Sequence, residues 1–307
     1  MMQEEYHWSW ITRSGLNASS ADHNIRFPYW SFTKSVIAVC ALKLSENGSL
    51  NLDAFLQGQK YTLRQLLQHT AGVADYGQLS DYHHDVAANL PPWSRDKMLD
   101  AVLANDPLFL PGEGWSYSNV GYMLARERIE EVAGKSFAEL VAEFITTPLG
   151  LKSVEVATTQ LQFSTLHWPA AASYHPGWVY HGCLIGTAHD AASILDALFN
   201  KKIFRNNHAT GSTLQQMLEH YPLGGALAGR PWTKCGYALG LMSGEVGGGQ
   251  RAIGHSGGGP FCVNAVYHFP DCADPVTVSC FAKGTDQGSA ELFATRLALQ
   301  LNGKKAQ

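Results

Sequence analysis

The segment that most constrains this chain is a run of residues from position 36 to position 44, apolar except for Lys43, which closely follows the pair Ser31 and Lys34. Because the run is apolar on all sides, we predict that it forms a helix buried in the core. Ser31 and Lys34 are three residues apart and would share one face of that helix. The sequence therefore predicts a hydroxyl and an amine side by side at the start of a buried helix.

This pair predicts a serine nucleophile. Burial disfavours an ammonium and lowers the pKa of a lysine. A partly neutral Lys34 beside Ser31 could take the hydroxyl proton when the oxygen attacks a carbonyl. The alternative is that Lys34 flanks the buried helix and simply extends to the surface.

A second pair with the same spacing, Ser94 and Lys97, has a different context. Ser94 follows two prolines and a tryptophan, and opens the segment 95–103, whose pattern is typical of an amphipathic surface helix. We expect Ser94 to be the N-cap of that helix and Lys97 to stay solvated and charged. This pair is predicted to have no catalytic role.

The composition allows an enzyme. A chain of 307 residues, 45% hydrophobic and 16% charged, can form one two-lobed domain or two small ones. The net charge is −4 and basic residues cluster only at residues 304–305, so neither nucleic acid nor an anionic membrane is an expected partner. The first thirty residues lack the apolar core of a signal peptide, and no later stretch approaches a membrane span. We expect a cytoplasmic enzyme.

Cysteines and histidines favour neither a metal nor a redox site. The six cysteines contain no Cys-x-x-Cys pair, and we expect them to be reduced and partly buried. Among thirteen histidines, the densest cluster lies in residues 81–85, where His83 and His84 are adjacent and lack the spacing of a helical ligand pair. No metal or organic cofactor is expected, and a metal-dependent hydrolase using the His83 cluster is kept only as a further alternative.

The periodicity predicts mixed secondary structure. Residues 7–12 alternate as a strand, and residues 24–27 lead into the buried helix. Capping boxes are predicted at Thr62 and Ser136, and a capped helix at residues 187–199. Period-two runs then predict an antiparallel meander, followed by a helix from Ser289 to Leu301 that packs on the sheet. The predicted meander strands are residues 237–242, 251–255, 262–269 and 275–282.

Two further motifs bear on Ser31. Tyr117 and Asn119 share a short loop and could supply a proton-transfer group and a substrate hydrogen bond, although Asn119 could equally be an N-cap. Residues 254–260 are rich in glycine at the end of a predicted strand. Glycines there would let a substrate backbone lie close and free amides point at a developing oxyanion, although a plain hairpin turn has the same composition.

Together, Ser31-x-x-Lys34, Tyr117-x-Asn119 and His255-x-Gly257 resemble the motifs of the serine β-lactamase and penicillin-binding protein superfamily. The resemblance is closest to its class C-like branch, which also holds DD-peptidases, D-aminopeptidases and esterases. It extends over nearly the whole chain and includes residues 66–73, 111–112, 147–151 and 182–190.

This resemblance implies an α/β (α+β) fold, β-lactamase/transpeptidase-like, with an antiparallel sheet flanked by helices and an inserted helical lobe. Residues 1–48 and 200–307 would form the sheet lobe and residues 49–199 the helical lobe, with the active site in the cleft between them. Ser31 would form the acyl-enzyme, and Lys34 and Tyr117 would share the proton transfers. The backbone amides of Ser31 and Gly258 would form the oxyanion hole. The implied substrate-binding residues are Asn119, His255, Ser256, Gly257 and Gly258.

Three departures limit what the resemblance implies. His255, Ser256 and Gly257 stand where β-lactamases usually have Lys-Thr-Gly, so a permanent cation for a carboxylate is missing and penicillin turnover is less expected. No Glu-x-x-x-Asn motif of the class A deacylation loop is present. Only thirty residues precede Ser31, so the sheet edge is expected to be incomplete.

We therefore predict a serine hydrolase of a small ester or amide. A D-amino-acid or cell-wall-type peptidase and a weak β-lactamase are the alternatives, and a catalytically silent protein that only binds acyl ligands is an alternative of another class. The pattern predicts neither the substrate nor the oligomeric state. Candidates for the pocket wall are Tyr76, Tyr82, Trp93, Trp178 and Tyr180.

Overall fold

The computed structural model describes residues 6–20, 24–104, 106–200, 202–204 and 213–304, the last without the Lys304 side chain. The strands within these ranges are β1 (Tyr6–Thr12), β2 (Asn17–Ser19), β3 (Arg26–Pro28), β4 (Glu155–Ala157), β5 (Cys183–Thr187), β6 (Tyr221–Gly224), β7 (Trp232–Tyr237), β8 (Met242–Val246), β9 (Gln250–Gly258), β10 (Cys262–Phe269) and β11 (Val276–Lys283).

The helices in the same ranges include one long buried helix and several short ones. They are α1 (Thr33–Glu46), α2 (Leu63–Leu67), α3 (Ser80–Ala87), α4 (Arg95–Val102), α5 (Asn119–Ala133), α6 (Phe137–Val141), α7 (Thr147–Leu149), α8 (Gln160–Ser164), α9 (Ala188–Phe199), α10 (Thr213–Leu218) and α11 (Gln287–Lys304). Of the short 3-10 helices in the described ranges, the one at Trp30–Phe32 immediately precedes α1.

The main sheet is antiparallel and has eight strands in the order β2-β1-β11-β10-β9-β8-β7-β6. A small sheet of β3, β5 and β4 lies apart from it. Because side chains alternate between the faces of a strand, Val263 and Ala265 of β10 pack in the core beneath α11, whereas Val266 packs in the core that holds α1 and α9. The sheet is therefore covered on both faces, as the predicted α/β (α+β) class requires.

The predicted buried helix is confirmed as α1. Residues 33–42 and Leu44 are buried, so the helix has no solvent-facing stripe in this stretch. Burying a Val or Ile side chain stabilises a fold by about 1.5–3 kcal/mol, so this apolar run holds α1 strongly in place. Its N-terminal turn carries Ser31 and Lys34 to the edge of the core.

Local signals for the helix ends are confirmed. Thr62 and Ser136 each form a complete capping box. The Thr187 hydroxyl accepts from the Asp190 amide at 3.1 Å at the start of α9. Ser94 likewise caps α4, because its Oγ accepts from the Lys97 backbone amide at 3.2 Å.

The predicted meander is confirmed in part. β10 has the predicted bounds, but the predicted strand 237–242 is wrong because this stretch contains the turn between β7 and β8. Gly240 has a left-handed φ of 69°, and a Cβ at this position would lie 2.7 Å from the Lys34 carbonyl oxygen. The turn therefore packs directly on α1. The last helix begins at Gln287, two residues before the predicted cap Ser289.

Among residues 6–20 and 24–30, which the structure describes, three strands precede Ser31. β1 pairs with β11, and β2, three residues long, pairs with β1 at the edge of the main sheet. The edge that was expected to be incomplete therefore ends in a short strand. Within the described ranges, no helix is long and apolar enough to cross a membrane.

The division into lobes with boundaries at 48/49 and 199/200 stays a prediction. Helix α9, which these boundaries place in the helical lobe, contacts the main sheet. The Ser279 hydroxyl of β11 donates to the Ala188 carbonyl at 2.6 Å, and the Phe199 ring stacks on His268 of β10 with centroids 4.0 Å apart. We therefore propose that the sheet lobe includes α9.

The close approach of β9 to the serine turn yields a test. A Cβ at Gly257 would lie 2.7 Å from the Ser31 backbone nitrogen, whereas one at Gly247 meets nothing within 4 Å. Because overpacking of a tight contact typically costs about 1–3 kcal/mol, we expect Gly257→Ala to lower the free energy of unfolding by that amount. Urea denaturation of Gly257→Ala beside Gly247→Ala measures it, and equal stability of the two variants would contradict this packing.

Candidate active site

Ser31 lies in the 3-10 turn between β3 and α1 and opens into a cleft of about 810 Å³. The preceding Trp30 has a left-handed φ of 42°, which is rare for a bulky residue, and its indole nitrogen donates to the Cys262 sulfur at 3.2 Å. Strained backbone persists only where its surroundings hold it. The turn thus keeps the Ser31 hydroxyl at the floor of the cleft.

Lys34 lies one turn into the core and is wholly buried. Its Nζ is 3.1 Å from Ser31 Oγ and 2.7 Å from Asn119 Oδ1. A further contact joins Nζ to the Nε2 atom of His181 at 3.1 Å. The amine therefore has three hydrogen-bonding partners, of which Ser31 is the predicted nucleophile.

The environment of Lys34 favours the neutral amine. Burial lowers its pKa well below the ordinary lysine value, and the nearby Asp75 carboxyl acts in the opposite direction. The pKa of Asp75 is itself raised by burial, and the hydrogen bonds from Asn119 offset this only in part. The outcome is a lysine that can accept a proton at a pH where an exposed lysine cannot.

Tyr117 provides the second contact to the serine. Its hydroxyl donates to Ser31 Oγ at 2.8 Å. Burial raises the pKa of Tyr117, an effect that the hydrogen bond to Ser31 only partly offsets. Tyr117 is therefore a neutral phenol that keeps its proton, whereas the lowered pKa of Lys34 makes its unprotonated form available at lower pH.

Asn119 is fixed by Asp75, a residue that the sequence analysis did not single out. The Asp75 carboxylate accepts from the Asn119 backbone amide at 2.7 Å and from its side-chain Nδ2 at 3.1 Å. With Nδ2 directed to Asp75, the Oδ1 atom of Asn119 points at Lys34. The N-cap of α5 is Ser118, whose Oγ accepts from the Gly121 amide at 2.9 Å, so the alternative that Asn119 caps the helix is wrong.

The glycine-rich motif lies at the end of β9, beside the serine turn. Gly257 approaches the Ser31 backbone nitrogen, and Gly258 lines the cleft. The Gly259 amide then donates to the Cys262 carbonyl at 3.0 Å, which closes the turn into β10. The motif is thus both a hairpin turn and part of the cleft. The oxyanion-hole role of the Ser31 and Gly258 amides stays a prediction.

His255, which the resemblance places where β-lactamases usually have a lysine, is buried and carries no charge at neutral pH. Burial lowers its pKa to about 3. Its Nε2 atom contacts the Tyr237 hydroxyl at 2.8 Å and its Nδ1 atom contacts the Ser256 carbonyl at 2.5 Å. His255 therefore offers a polar but neutral wall.

Ser256 is connected to a buried ion pair. Its hydroxyl accepts from Arg230 Nη2 at 2.8 Å, and Arg230 also forms a two-point ion pair with Glu291 of α11. The Glu291 side chain is 1% exposed and also accepts from Tyr267 at 2.8 Å. The positive charge that Arg230 brings to the cleft is thus directly paired.

Aromatic side chains form much of the cleft wall. Of the five candidates, Tyr76, Tyr82 and Trp178 line the cleft, and Trp93 and Tyr180 do not. Instead, the Tyr180 hydroxyl donates to the Trp93 carbonyl at 3.0 Å. None of the side chains that line the cleft in the described ranges is acidic.

The histidine cluster in α3 does not assemble a metal site in the residues that the structure describes, where no group of three His, Cys, Asp or Glu side chains could hold an ion. His83 contacts the Gly77 carbonyl at 2.8 Å, whereas His84 contacts Asp85 at 3.1 Å. The two rings therefore have separate partners. All six cysteines are free and buried.

Three site residues were missed in the sequence analysis, namely Asp75, His181 and Arg230. Asp75 follows the segment 66–73 closely, so its position beside a recognised motif was a usable signal. His181 comes just before the segment 182–190. Arg230 stands in no motif, and only the three-dimensional structure brings it to Ser256.

Comparisons with known proteins find relatives in sequence and in fold. Penicillin-binding protein 4* of Bacillus subtilis (strain 168) is 33% identical over 151 residues, which are 45% of this chain and 32% of that protein. A D-aminopeptidase of Cereibacter sphaeroides (strain ATCC 17023) is 29% identical over 103 residues, 33% of this chain and 20% of that protein. The chain thus spans well under two thirds of the length of these relatives.

Solved structures share the fold. The D-amino acid amidase from Ochrobactrum anthropi SV3 complexed with L-phenylalanine has a TM-score of 0.78, with 18% identity over 98% of this chain and 93% of that one. The penicillin binding protein from Bacillus halodurans has a TM-score of 0.73, with 19% identity over 95% and 96%. These likenesses confirm a β-lactamase/transpeptidase-like fold. A family model described as Beta-lactamase matches residues 5–301, and this chain therefore belongs to the Beta-lactamase family.

Proposed function

We propose that this protein is a serine hydrolase that cleaves a small, uncharged ester or amide through an acyl-enzyme on Ser31. The observation that carries the proposal is the contact of Ser31 Oγ with both Lys34 Nζ, at 3.1 Å, and the Tyr117 hydroxyl, at 2.8 Å, at the floor of an open cleft. A base and an acid on one hydroxyl are what acyl transfer requires.

Acylation begins when Ser31 Oγ attacks the substrate carbonyl and neutral Lys34 takes the hydroxyl proton. The oxyanion lies at the backbone amides of Ser31 and Gly258. As the carbonyl–heteroatom bond breaks, Tyr117 gives its proton to the leaving group and recovers one from Lys34. Water then attacks the acyl-enzyme while the same groups work in reverse, which releases the acid and restores Ser31.

The electrostatics of the cleft favour an uncharged substrate. The His255 imidazole is neutral, and the Arg230 guanidinium is paired with the buried Glu291 carboxylate. A carboxylate on the substrate would therefore meet no unpaired cation at β9. Aromatic rings in the cleft lining, among them Tyr76 and Trp178, suit an apolar acyl or leaving group.

A second candidate is an amidase or peptidase for D-amino-acid derivatives. The matched relatives and structures named for such activities support it. The absence of an acidic side chain among the described cleft-lining residues counts against it, because an α-ammonium group would have no carboxylate partner. Comparing D-phenylalanine amide with a neutral p-nitrophenyl ester distinguishes the two candidates.

We also propose that the enzyme requires no cofactor and works in a reducing compartment such as the cytoplasm. The second point is supported by the six free, buried thiols, since paired cysteines are typical of oxidising compartments.

Ser31→Ala is expected to lower the hydrolysis of p-nitrophenyl acetate by about three orders of magnitude or more, because the attacking oxygen is removed. Ser94→Ala is the matched control, since Ser94 has the same spacing to a lysine but only caps α4. Initial rates of both variants measure activity, and thermal melts show whether each variant is folded. Full activity of Ser31→Ala would show that Ser31 is not the nucleophile, whereas a wild type that hydrolyses no ester would favour the acyl-binding alternative.

The pKa of Lys34 predicts the pH dependence. Because burial lowers this pKa and the neutral amine is the active form, kcat/KM should rise with pH and reach its plateau well below the pH at which an ordinary lysine is neutral. Lys34→Met should lower the plateau by about three orders of magnitude. A profile for Lys34→Met that matches the wild type would show that another group is the base.

His255→Lys is expected to change substrate preference. A cation at this position should raise the acylation rate of a chromogenic cephalosporin relative to a neutral ester by about tenfold to a hundredfold, as a charge contact of about one to three kcal/mol implies. His255→Gln controls for loss of the imidazole without a new charge. If the wild-type enzyme already hydrolyses the cephalosporin faster than any neutral ester, the esterase interpretation is wrong and the β-lactamase interpretation takes its place.

A further inference from the structure

His69 is a buried residue of segment 66–73 that contacts the loop carrying Tyr117 at three points. Its backbone carbonyl accepts from the Ser116 amide at 3.0 Å, and its Nδ1 atom accepts from the Ser118 amide at 3.1 Å. Its ring also packs on the Tyr117 ring, with centroids 4.4 Å apart and a tilt of 40°. Tyr117 thus lies between two residues that are both hydrogen-bonded to His69.

The bond from the Ser118 amide fixes the tautomer of the His69 ring. A backbone N–H can only donate, so Nδ1 is the acceptor nitrogen and Nε2 carries the proton. The ring is neutral, because burial lowers the pKa of His69 well below the ordinary histidine value. Since a proton on Nδ1 would break the bond, the neutral ring and the bond stabilise each other.

Space filling alone does not account for a histidine at this position. Among the described residues, the Nε2 atom of His69 is buried and has no hydrogen-bond partner. The rings of Trp115, Tyr122 and Tyr237 lie around the imidazole, at centroid distances of 5.7, 5.0 and 4.6 Å. A buried unpaired donor is destabilising, and a phenylalanine ring would fill the same space without it. The property that the histidine adds is the acceptor at Nδ1.

The backbone of His69 holds this acceptor in a fixed position. His69 has a left-handed φ of 63°, which is uncommon outside glycine but enriched for Asn, Asp and His. Its amide donates to the Leu66 carbonyl at 3.2 Å, at the end of α2. Further along the same segment, the Ala74 carbonyl accepts from the Ser118 hydroxyl at 3.0 Å. The tyrosine loop is therefore attached to a segment that is itself anchored to a helix.

We propose that His69 is a positioning residue that, through Nδ1 and its backbone carbonyl, holds the Tyr117 hydroxyl against Ser31 Oγ. This inference rests on the proposed function, since it concerns the orientation of the proton donor. The two oxygens are 2.8 Å apart, so a displacement of about 1 Å would break their hydrogen bond. His69 does not line the cleft and acts through Tyr117.

Two complementary substitutions separate the acceptor from the ring. His69→Phe keeps a ring of similar size and removes the acceptor. His69→Asn removes the ring and keeps an acceptor, since Oδ1 can take the place of Nδ1, and Asn also tolerates left-handed backbone. His268→Phe is the matched control, because His268 is another buried histidine, hydrogen-bonded to Thr277 at 2.9 Å and outside the cleft lining. Thermal melts show whether each variant is folded.

The leaving group of the substrate provides a readout that a general loss of packing would not give. p-Nitrophenolate departs without a proton, whereas an alkoxide needs one, so ethyl acetate depends on the Tyr117 proton more than p-nitrophenyl acetate does. We expect His69→Phe to lower kcat/KM for ethyl acetate, measured by acid release, by about 10- to 100-fold, and kcat/KM for p-nitrophenyl acetate by less. Tyr117→Phe should show the same selectivity, because it removes the donor itself.

The other two variants complete the comparison. His69→Asn should recover most of the kcat/KM that His69→Phe loses on ethyl acetate, and His268→Phe should change neither ester. Equal losses on both esters in a folded His69→Phe would overturn the proposal. A folded His69→Asn that is less active than His69→Phe would overturn it too, since the ring and not the acceptor would then be the part that matters.

Amide hydrogen exchange separates failure of this inference from failure of the proposed function. In ¹⁵N-labelled protein, the Ser118 amide should exchange slowly in the wild type and in His69→Asn, and about tenfold faster in His69→Phe. The Gly177 amide, which donates to His175 Nδ1 at 2.9 Å, is the internal reference and should be unaffected. Exchange does not depend on ester hydrolysis, so a wild type that hydrolyses no ester would overturn the proposed function alone. Equal Ser118 exchange in wild type and His69→Phe would overturn the inference alone.

Discussion

A buried amine is costly to keep charged, and the Lys34 amine is buried because α1 has no polar face on which to leave it exposed. Around Nζ lie a neutral acceptor, the Asn119 amide oxygen, and the imidazole of His181, while the Asp75 carboxylate contacts Asn119 and not Nζ. Lys34 is thus held next to Ser31, where the proposed mechanism uses it as the base. The serine turn, the start of α5 and the segment before β5 all meet at this amine.

Polar groups elsewhere in the cleft also carry no unpaired charge. At β9 the polar groups are either neutral by burial, as His255 is, or paired, as Arg230 is with Glu291. His255 is hydrogen-bonded to Tyr237 and Arg230 to Ser256. These groups therefore form part of the cleft wall without presenting an unpaired charge. A cleft of this kind stabilises charge that develops during the reaction more than charge that the substrate brings with it.

Features with local causes could be predicted from the sequence. The apolar run of α1, the caps at Thr62 and Ser136, and the bounds of β10 each depend on a few neighbouring residues. The predicted strand 237–242 was wrong because the Gly240 turn is set by its contact with α1, some 200 positions away in the chain. His181 and Arg230 were missed for the same reason, since their contacts with Lys34 and Ser256 cannot be inferred from spacing along the chain.

The measurement that most directly tests a nucleophile at Ser31 with Lys34 as its base is intact-mass analysis after incubation with a serine-reactive phosphonate. The account predicts one adduct per chain, located by peptide mapping on the peptide that contains Ser31. It also predicts no adduct in Ser31→Ala, a much slower one in Lys34→Met, and normal labelling in Ser94→Ala. A wild-type protein that gains no adduct, or carries it on another residue, would contradict the account.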